Sequence, residues 1–194
     1  DPTAPPEDPT QAMTAKELVA TAFYARSCIQ ITRIAEILGY ADDAARYAAL
    51  RDHVIAGFLD RFTRLDGTMT SDTQCAYALA IAFGLLDGEP VRKVKAGNRL
   101  ACLVRESGGK VSTGFAGTPF VLPALTQTGH DDEAYQLLTS TECPSWLYQV
   151  TMGATTTWER WDSMRPDRSL NPGGMTSFNH YALGSVAEWM HAHI

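Results

Sequence analysis

The chain has 194 residues, 45% of them hydrophobic and 20% charged, with a formal net charge of −6 at pH 7. That length fits one domain with a sizeable core. The acidic balance speaks against nucleic acid as a partner, because phosphate binding asks for a basic face, and no basic run offers a footing on an anionic membrane.

Residues 1–13, DPTAPPEDPTQAM, are proline-rich and polar. They read as an extended entry segment, without the basic start and apolar middle of a signal peptide. Residues 14–194 read as one helical unit. The stretch TAKE at Thr14–Glu17 has the pattern of a capping box, in which the threonine caps and the glutamate reaches back. A long helix follows to about Leu38, with Leu18, Ala22, Ala25 and Ile29 on one stripe, and Gly39 ends it. ADDAARYAALRDHVIAGFLDRF is a second helix, with Tyr47, Leu50, Val54 and Phe58 at helical spacing. After the turn LDGT, the stretch SDTQ opens a third helix with Ser71 or Asp72 as cap.

Cys75–Leu86 is apolar on every side and belongs inside the protein. It is too short for a bilayer, which takes about 20 residues. DGEP breaks the chain, and Pro90 starts a fourth helix at its first position, running to about Glu106. Ser107–Gly117 is a glycine-rich loop without the spacing of a phosphate-binding loop. It reads as a rim loop, with Thr113 or Phe115 as the residues that would face a substrate. Thr118 and Pro119 start a fifth helix that ends at Gly129, its first turns tightened by Pro123. A short sixth helix covers Asp131–Thr139. Glu142–Thr176 reads as irregular, with room for a short extended piece in CPSWLYQVT, and a last helix spans Phe178–His193.

The pattern is all-α, in antiparallel hairpins. A toroid of paired inner and outer helices and an α-solenoid both fit, but no repeat of fixed period supports the solenoid. The four cysteines form no CxxC pair and read as buried free thiols, which fits a reducing compartment. The five histidines show no ligand pattern, so neither a metal nor a cofactor is expected.

Side chains suited to chemistry gather late. Trp146, Tyr148, Trp158, Glu159, Arg160, Trp161, Asp162, Asn179 and His180 all fall between positions 146 and 180. In GATTTWERWD an acid sits between two tryptophans, a costly neighbourhood to bury it in without a reason. Flat aromatic faces with a few polar groups suit a sugar ring. The plain alternatives are aromatic core plugs, a surface pair of Glu159 with Arg160, Asn179 as a helix-start residue and His180 as a satisfied core histidine.

The order of these residues adds to that reading. GATTTWERWDSM followed by NPGGMTSFNHYALGSVAEW resembles the C-terminal stretch of the catalytic domain of bacterial α-L-rhamnosidases, glycoside hydrolase family 78. DPTAPPEDPT, TQCAYALAIAFGLL, GGKVSTGFAGTPFVLPALTQTG and CPSWLYQVTMGATTTWERWD resemble the same family in the same order. The resemblance implies an (α/α)₆ barrel, of which this chain would be an incomplete, C-terminal portion. It implies release of terminal α-L-rhamnose with inversion. It makes Glu159, at the glutamate of the WER motif, the general base. His180, at the histidine of the SFNH motif, would contact the rhamnose, with Trp158, Trp161, Trp146 and Asn179 as further substrate-binding candidates.

Inversion needs a second carboxyl group as acid, and the family's acidic segment is not found in these residues. The expectation is therefore a chain that hydrolyses rhamnosides poorly alone and self-associates or needs the missing N-terminal half of the barrel. It would work in the cytoplasm, or outside the cell as part of a longer enzyme, with the cytoplasm as the first expectation. A non-catalytic carbohydrate-binding module, a helical interaction scaffold and an enzyme acting on another sugar remain the competing readings.

Overall fold

The computed structural model of the chain describes residues 13–194. The extended entry segment, but for Met13, and the DPTAPPEDPT resemblance therefore lie outside the described residues. Among those described, the structure is helical, with two isolated bridges, Thr63 to Met69 and Met164 to Leu170, as the only extended pairing.

Helix α1 (Lys16–Leu38) buries Leu18, Ala22, Ala25, Cys28, Thr32 and Ala35, so Cys28 rather than Ile29 continues the stripe. It ends at Gly39, whose φ of 78° lets the amides of Gly39 and Tyr40 turn back to the carbonyls of Glu36 and Ala35. The expected capping box does not form. Ala15 is the N-cap, and the Thr14 hydroxyl instead shares a 2.7 Å hydrogen bond with the Thr73 hydroxyl. A tertiary partner has claimed the capping oxygen.

Helix α2 (Ala41–Phe62) returns along α1 and buries Val54, Phe58 and Phe62. The next cap also differs from expectation. Thr73, not Ser71 or Asp72, caps α3 (Gln74–Ala82) by accepting from the Ala76 amide. Asp72 is engaged elsewhere, by Arg99 and by the Tyr77 hydroxyl. Residues Gln74 through Ile81 are all buried, as an apolar-all-round helix requires.

Helix α4 (Pro90–Glu106) starts at its proline and turns Ala96, Gly97, Leu100, Ala101 and Val104 inward. A Cβ at Gly97 would lie 2.5 Å from the Thr128 Cβ, so only glycine permits this approach. Helices α5 (Thr118–Gln127) and α6 (Asp131–Thr139) follow, with Pro123 inside α5. Within the stretch read as irregular, with room for an extended piece, the chain instead forms helix α7 (Trp146–Thr151), capped by the Ser145 hydroxyl accepting from the Tyr148 amide at 3.1 Å. The last helix is shorter than expected. A 3₁₀ turn (Ala182–Ser185) leads into α8 (Val186–His193), and residues 178–181 are not helical.

Two layers result. Helices α1, α3 and α5 pack in series, with the 3₁₀ turn and α8 against α5, while α2 backs α1 and α4 and α6 flank α3 and α5. One core runs through this stack, from Leu18 and Phe58 to Leu137 and Trp189. No described helix is long and apolar enough to cross a membrane. All four cysteines are free, with Cys28 and Cys75 buried and Cys102 and Cys143 partly so.

Candidate active site

Two loop regions and α7 build the candidate site. The glycine-rich loop is tied down at both ends. The Val111 amide donates to the Pro144 carbonyl, and the Ser112 amide to Oε1 of Gln74 on α3. Thr113 is fully buried, and its hydroxyl meets the Thr118 hydroxyl at 2.9 Å. Thr113 therefore braces the loop and does not face a substrate. Gly117 fits only as glycine, since a Cβ there would lie 2.8 Å from the Cys75 sulfur. Phe115, at the loop tip, is 38% exposed.

Helix α7 positions the Trp-Glu-Arg-Trp segment. Buried Gln149 accepts from the Trp158 amide and donates to the Arg160 carbonyl, so it holds the backbone on both sides of Glu159. Arg160 pairs with Asp162 at 3.0 Å, and Asn171 donates to the other Asp162 oxygen at 2.7 Å. Ser163, fully buried, exchanges hydrogen bonds with the Arg160 backbone.

The Ser-Phe-Asn-His segment lies alongside. The Glu159 amide donates to the Ser177 carbonyl and the His180 amide to the Thr157 carbonyl, each at 2.9 Å. The Thr157 hydroxyl reaches the His180 carbonyl, and the Thr156 hydroxyl that of Phe178. Two segments twenty residues apart in sequence are thus zipped together. They carry Glu159 and His180 on neighbouring backbone. The Ser177 amide donates to Oε2 of Glu159 at 3.0 Å. Among the described residues Oε1 has no hydrogen-bond partner and Glu159 no ion pair, so Arg160 serves Asp162 rather than Glu159. The residue is half-buried, so its free oxygen is not sealed from solvent.

The His180 ring lies between two aromatic rings, stacked on Phe115 at 5.1 Å and on Tyr181 at 5.2 Å, each pair within 11° of parallel. Its Nδ1 accepts from the Ala182 amide at 3.2 Å. The three tryptophans of the segment pack inward. Trp158 packs edge-on against Phe178, and Trp161 against Trp146, whose indole N–H donates to the Leu183 carbonyl. All three are buried. Asn179 is exposed, and its backbone is turned by the Ser177 hydroxyl rather than starting a helix.

Gln149 and Ser177 are the site-building residues that sequence reasoning missed. Reading residues 146–151 as a helix would have placed Gln149 beside the motif. Burial pushes the Cys143 thiol up to about 11, which disfavours the thiolate. No cluster of metal-ligating side chains occurs among the described residues. A concavity of about 520 Å³ between α2 and α4, lined by Leu59, Asp60, Arg64 and Arg92, does not include the site.

Comparison with known proteins points the same way. An α-L-rhamnosidase of Streptomyces avermitilis is 45% identical over 181 residues, covering 93% of this chain and 17% of that enzyme. An α-L-rhamnosidase of Formosa agariphila is 39% identical over 183 residues, covering 93% and 19%. The crystal structure of native α-L-rhamnosidase from Aspergillus terreus superposes with a TM-score of 0.94 at 42% identity, over 98% of this chain and 22% of that one. The Streptomyces avermitilis enzyme, solved in complex with L-rhamnose, gives a TM-score of 0.86 over 92% and 17%. The chain thus spans about a fifth of the length of these relatives, and its hairpins form part of their (α/α)₆ barrel. The model of the bacterial α-L-rhamnosidase six-hairpin glycosidase domain matches residues 1–194, and the chain belongs to that family.

Proposed function

We propose that this chain carries the general-base side of an inverting glycoside hydrolase that releases terminal α-L-rhamnose, with the general acid supplied from outside its 194 residues. The observation that carries the reading is the state of Glu159: one oxygen fixed by the Ser177 amide, the other without a partner among the described residues. A carboxylate held this way accepts a proton from water. That water adds to the anomeric carbon while the glycosidic bond to the leaving oxygen breaks on the opposite face. A carboxylic acid about 6.5–9.5 Å from the base protonates the departing oxygen. Asp162, the nearest acid in the motif, is unsuited to that role because Arg160 and Asn171 hold its two oxygens. His180 contacts the sugar from the adjoining segment, and the buried tryptophans shape the wall behind it.

The test is Glu159→Gln in the full-length enzyme. The change keeps size and hydrogen bonding but removes the base, so kcat falls by about 10²–10⁴-fold with KM near its parent value. ¹H NMR of the first product shows β-L-rhamnose released from an α-rhamnoside. Retained configuration, or full turnover by the variant, overturns the proposal.

A companion expectation concerns the isolated 194 residues. They turn over a natural flavonoid rhamnoside very poorly. They also self-associate, because Tyr24, Ile31, Ile34 and Leu38 leave an apolar stripe exposed on α1. Light scattering showing a monodisperse monomer at high concentration counts against the second point.

A further inference from the structure

His180 is presented in an unusually determined way. Its backbone is pinned to Thr157 through both amide and carbonyl. Its ring is flanked by Phe115 and Tyr181. Of these, Tyr181 is 87% exposed and gives little lateral support, whereas Phe115 comes from a loop braced by buried Thr113, by Gly117 against Cys75 and by Gln74. The rigid partner in the stack is therefore Phe115.

The Ala182 amide adds a chemical constraint. An N–H can donate to Nδ1 only if Nδ1 carries no hydrogen, so the neutral imidazole holds its hydrogen on Nε2. Among the described residues Nε2 has no partner. The ring thus offers one oriented donor that the protein leaves unused.

We infer that Phe115 is a positioning residue for His180, and that with the Ala182 amide it presents the Nε2–H as a hydrogen-bond donor to a hydroxyl of the sugar. This rests on the sugar-cleaving reading above and deepens it. A donor to a hydroxyl remote from the breaking bond acts equally in ground and transition states. Loss of its aim therefore shows in KM and not in kcat.

The experiment measures kcat and KM of the full-length enzyme on p-nitrophenyl α-L-rhamnopyranoside. The variants are Phe115→Leu, Phe115→Tyr, His180→Ala and the Phe115→Leu/His180→Ala double. Phe115→Leu raises KM about three- to ten-fold, the worth of one stacked pair, with kcat within about two-fold of the parent. Phe115→Tyr, which keeps the ring, restores most of the affinity. On the His180→Ala background Phe115→Leu adds nothing, since the two act through one contact. Increases in KM that multiply, or an unchanged KM in Phe115→Leu, overturn the inference.

Glu159→Gln is assayed in parallel. If it leaves turnover intact, the sugar-cleaving reading itself is lost. If turnover collapses while Phe115 and His180 prove uncoupled, only the positioning role is lost. Circular dichroism checks folding, and Phe115→Met replaces Leu in the cycle if the Leu variant is unfolded.

Discussion

The helices of residues 16–139 and the loops of residues 140–181 are held by different forces. In the first region, fully buried Leu79, Leu100, Leu122, Leu125 and Leu137 tie neighbouring helices together, and helical hydrogen bonds satisfy the backbone. In the second, regular structure is scarce. The backbone is satisfied instead by Gln149, Thr157, Ser163 and Asn171, over a floor of buried indoles. Apolar burial is strong but undirected; hydrogen bonds are weaker and set angles. The frame therefore supplies stability, and the loops supply the aim of Glu159 and His180.

The largest effect that tests this division is Leu79→Ala. The side chain is fully buried in a helix with no exposed face, so the cavity costs about 2–5 kcal/mol. Urea unfolding of the full-length enzyme should show a clear fall in the midpoint of the transition assigned to this domain. The residual folded enzyme should keep its KM, since Leu79 belongs to the helical frame and not to the loops that carry Glu159 and His180. A site-specific loss of activity without a stability change would break the comparison.

Asn171→Ala is the complementary change, and smaller. It removes the donor to Asp162 and the acceptor for the Gly173 amide, at a local cost of about 1–3 kcal/mol. That cost falls on the loop, not on the helical core. Proteolysis between residues 163 and 175 should accelerate and kcat/KM should fall, while the global unfolding midpoint moves little. A midpoint shift as large as that of Leu79→Ala would show that the loops and helices unfold as one unit.

The same division explains what the sequence disclosed. Helix ends set by local chemistry were legible: Gly39 closes α1, Pro90 opens α4, and Asp131–Thr139 has the predicted bounds. Features decided by distant partners were not. Thr14 looks like a cap but binds Thr73, and Asp72 looks like a cap but binds Arg99 twenty-seven residues on. CPSWLYQVT leaves room for a short extended piece because Trp, Tyr, Val and Thr favour strands. The Ser145 cap and the cover of the core turn it into a helix instead. SFNH reads as the start of a helix, yet its backbone groups are taken by Thr156, Thr157 and Glu159. The motif spacing marked Glu159 and His180 together. The stacking of Phe115 on His180 joins residues sixty-five apart, and only the glycine-rich loop hinted at it.

The smallest expected effect probes an ion pair that the frame does contain. Asp72 accepts hydrogen bonds from both Nε and Nη2 of Arg99 and one from Tyr77, and the Arg99 bonds, foremost, hold its carboxyl below the usual range. A depressed folded value means that the unfolded chain binds the proton more readily. The contribution is then complete above the ordinary carboxylate value of about 3.9 and disappears as pH falls through the lower folded value. The side chain is 48% exposed, so solvent screening limits the gain to about 0–1 kcal/mol. Urea midpoints of the parent and Asp72→Asn should therefore differ slightly at pH 7 and converge on acidification below the ordinary value. Divergence on acidification would have the wrong sign for a paired carboxylate. A gap at pH 7 as wide as that of Leu79→Ala would mean that charge, and not only apolar burial, holds the frame together.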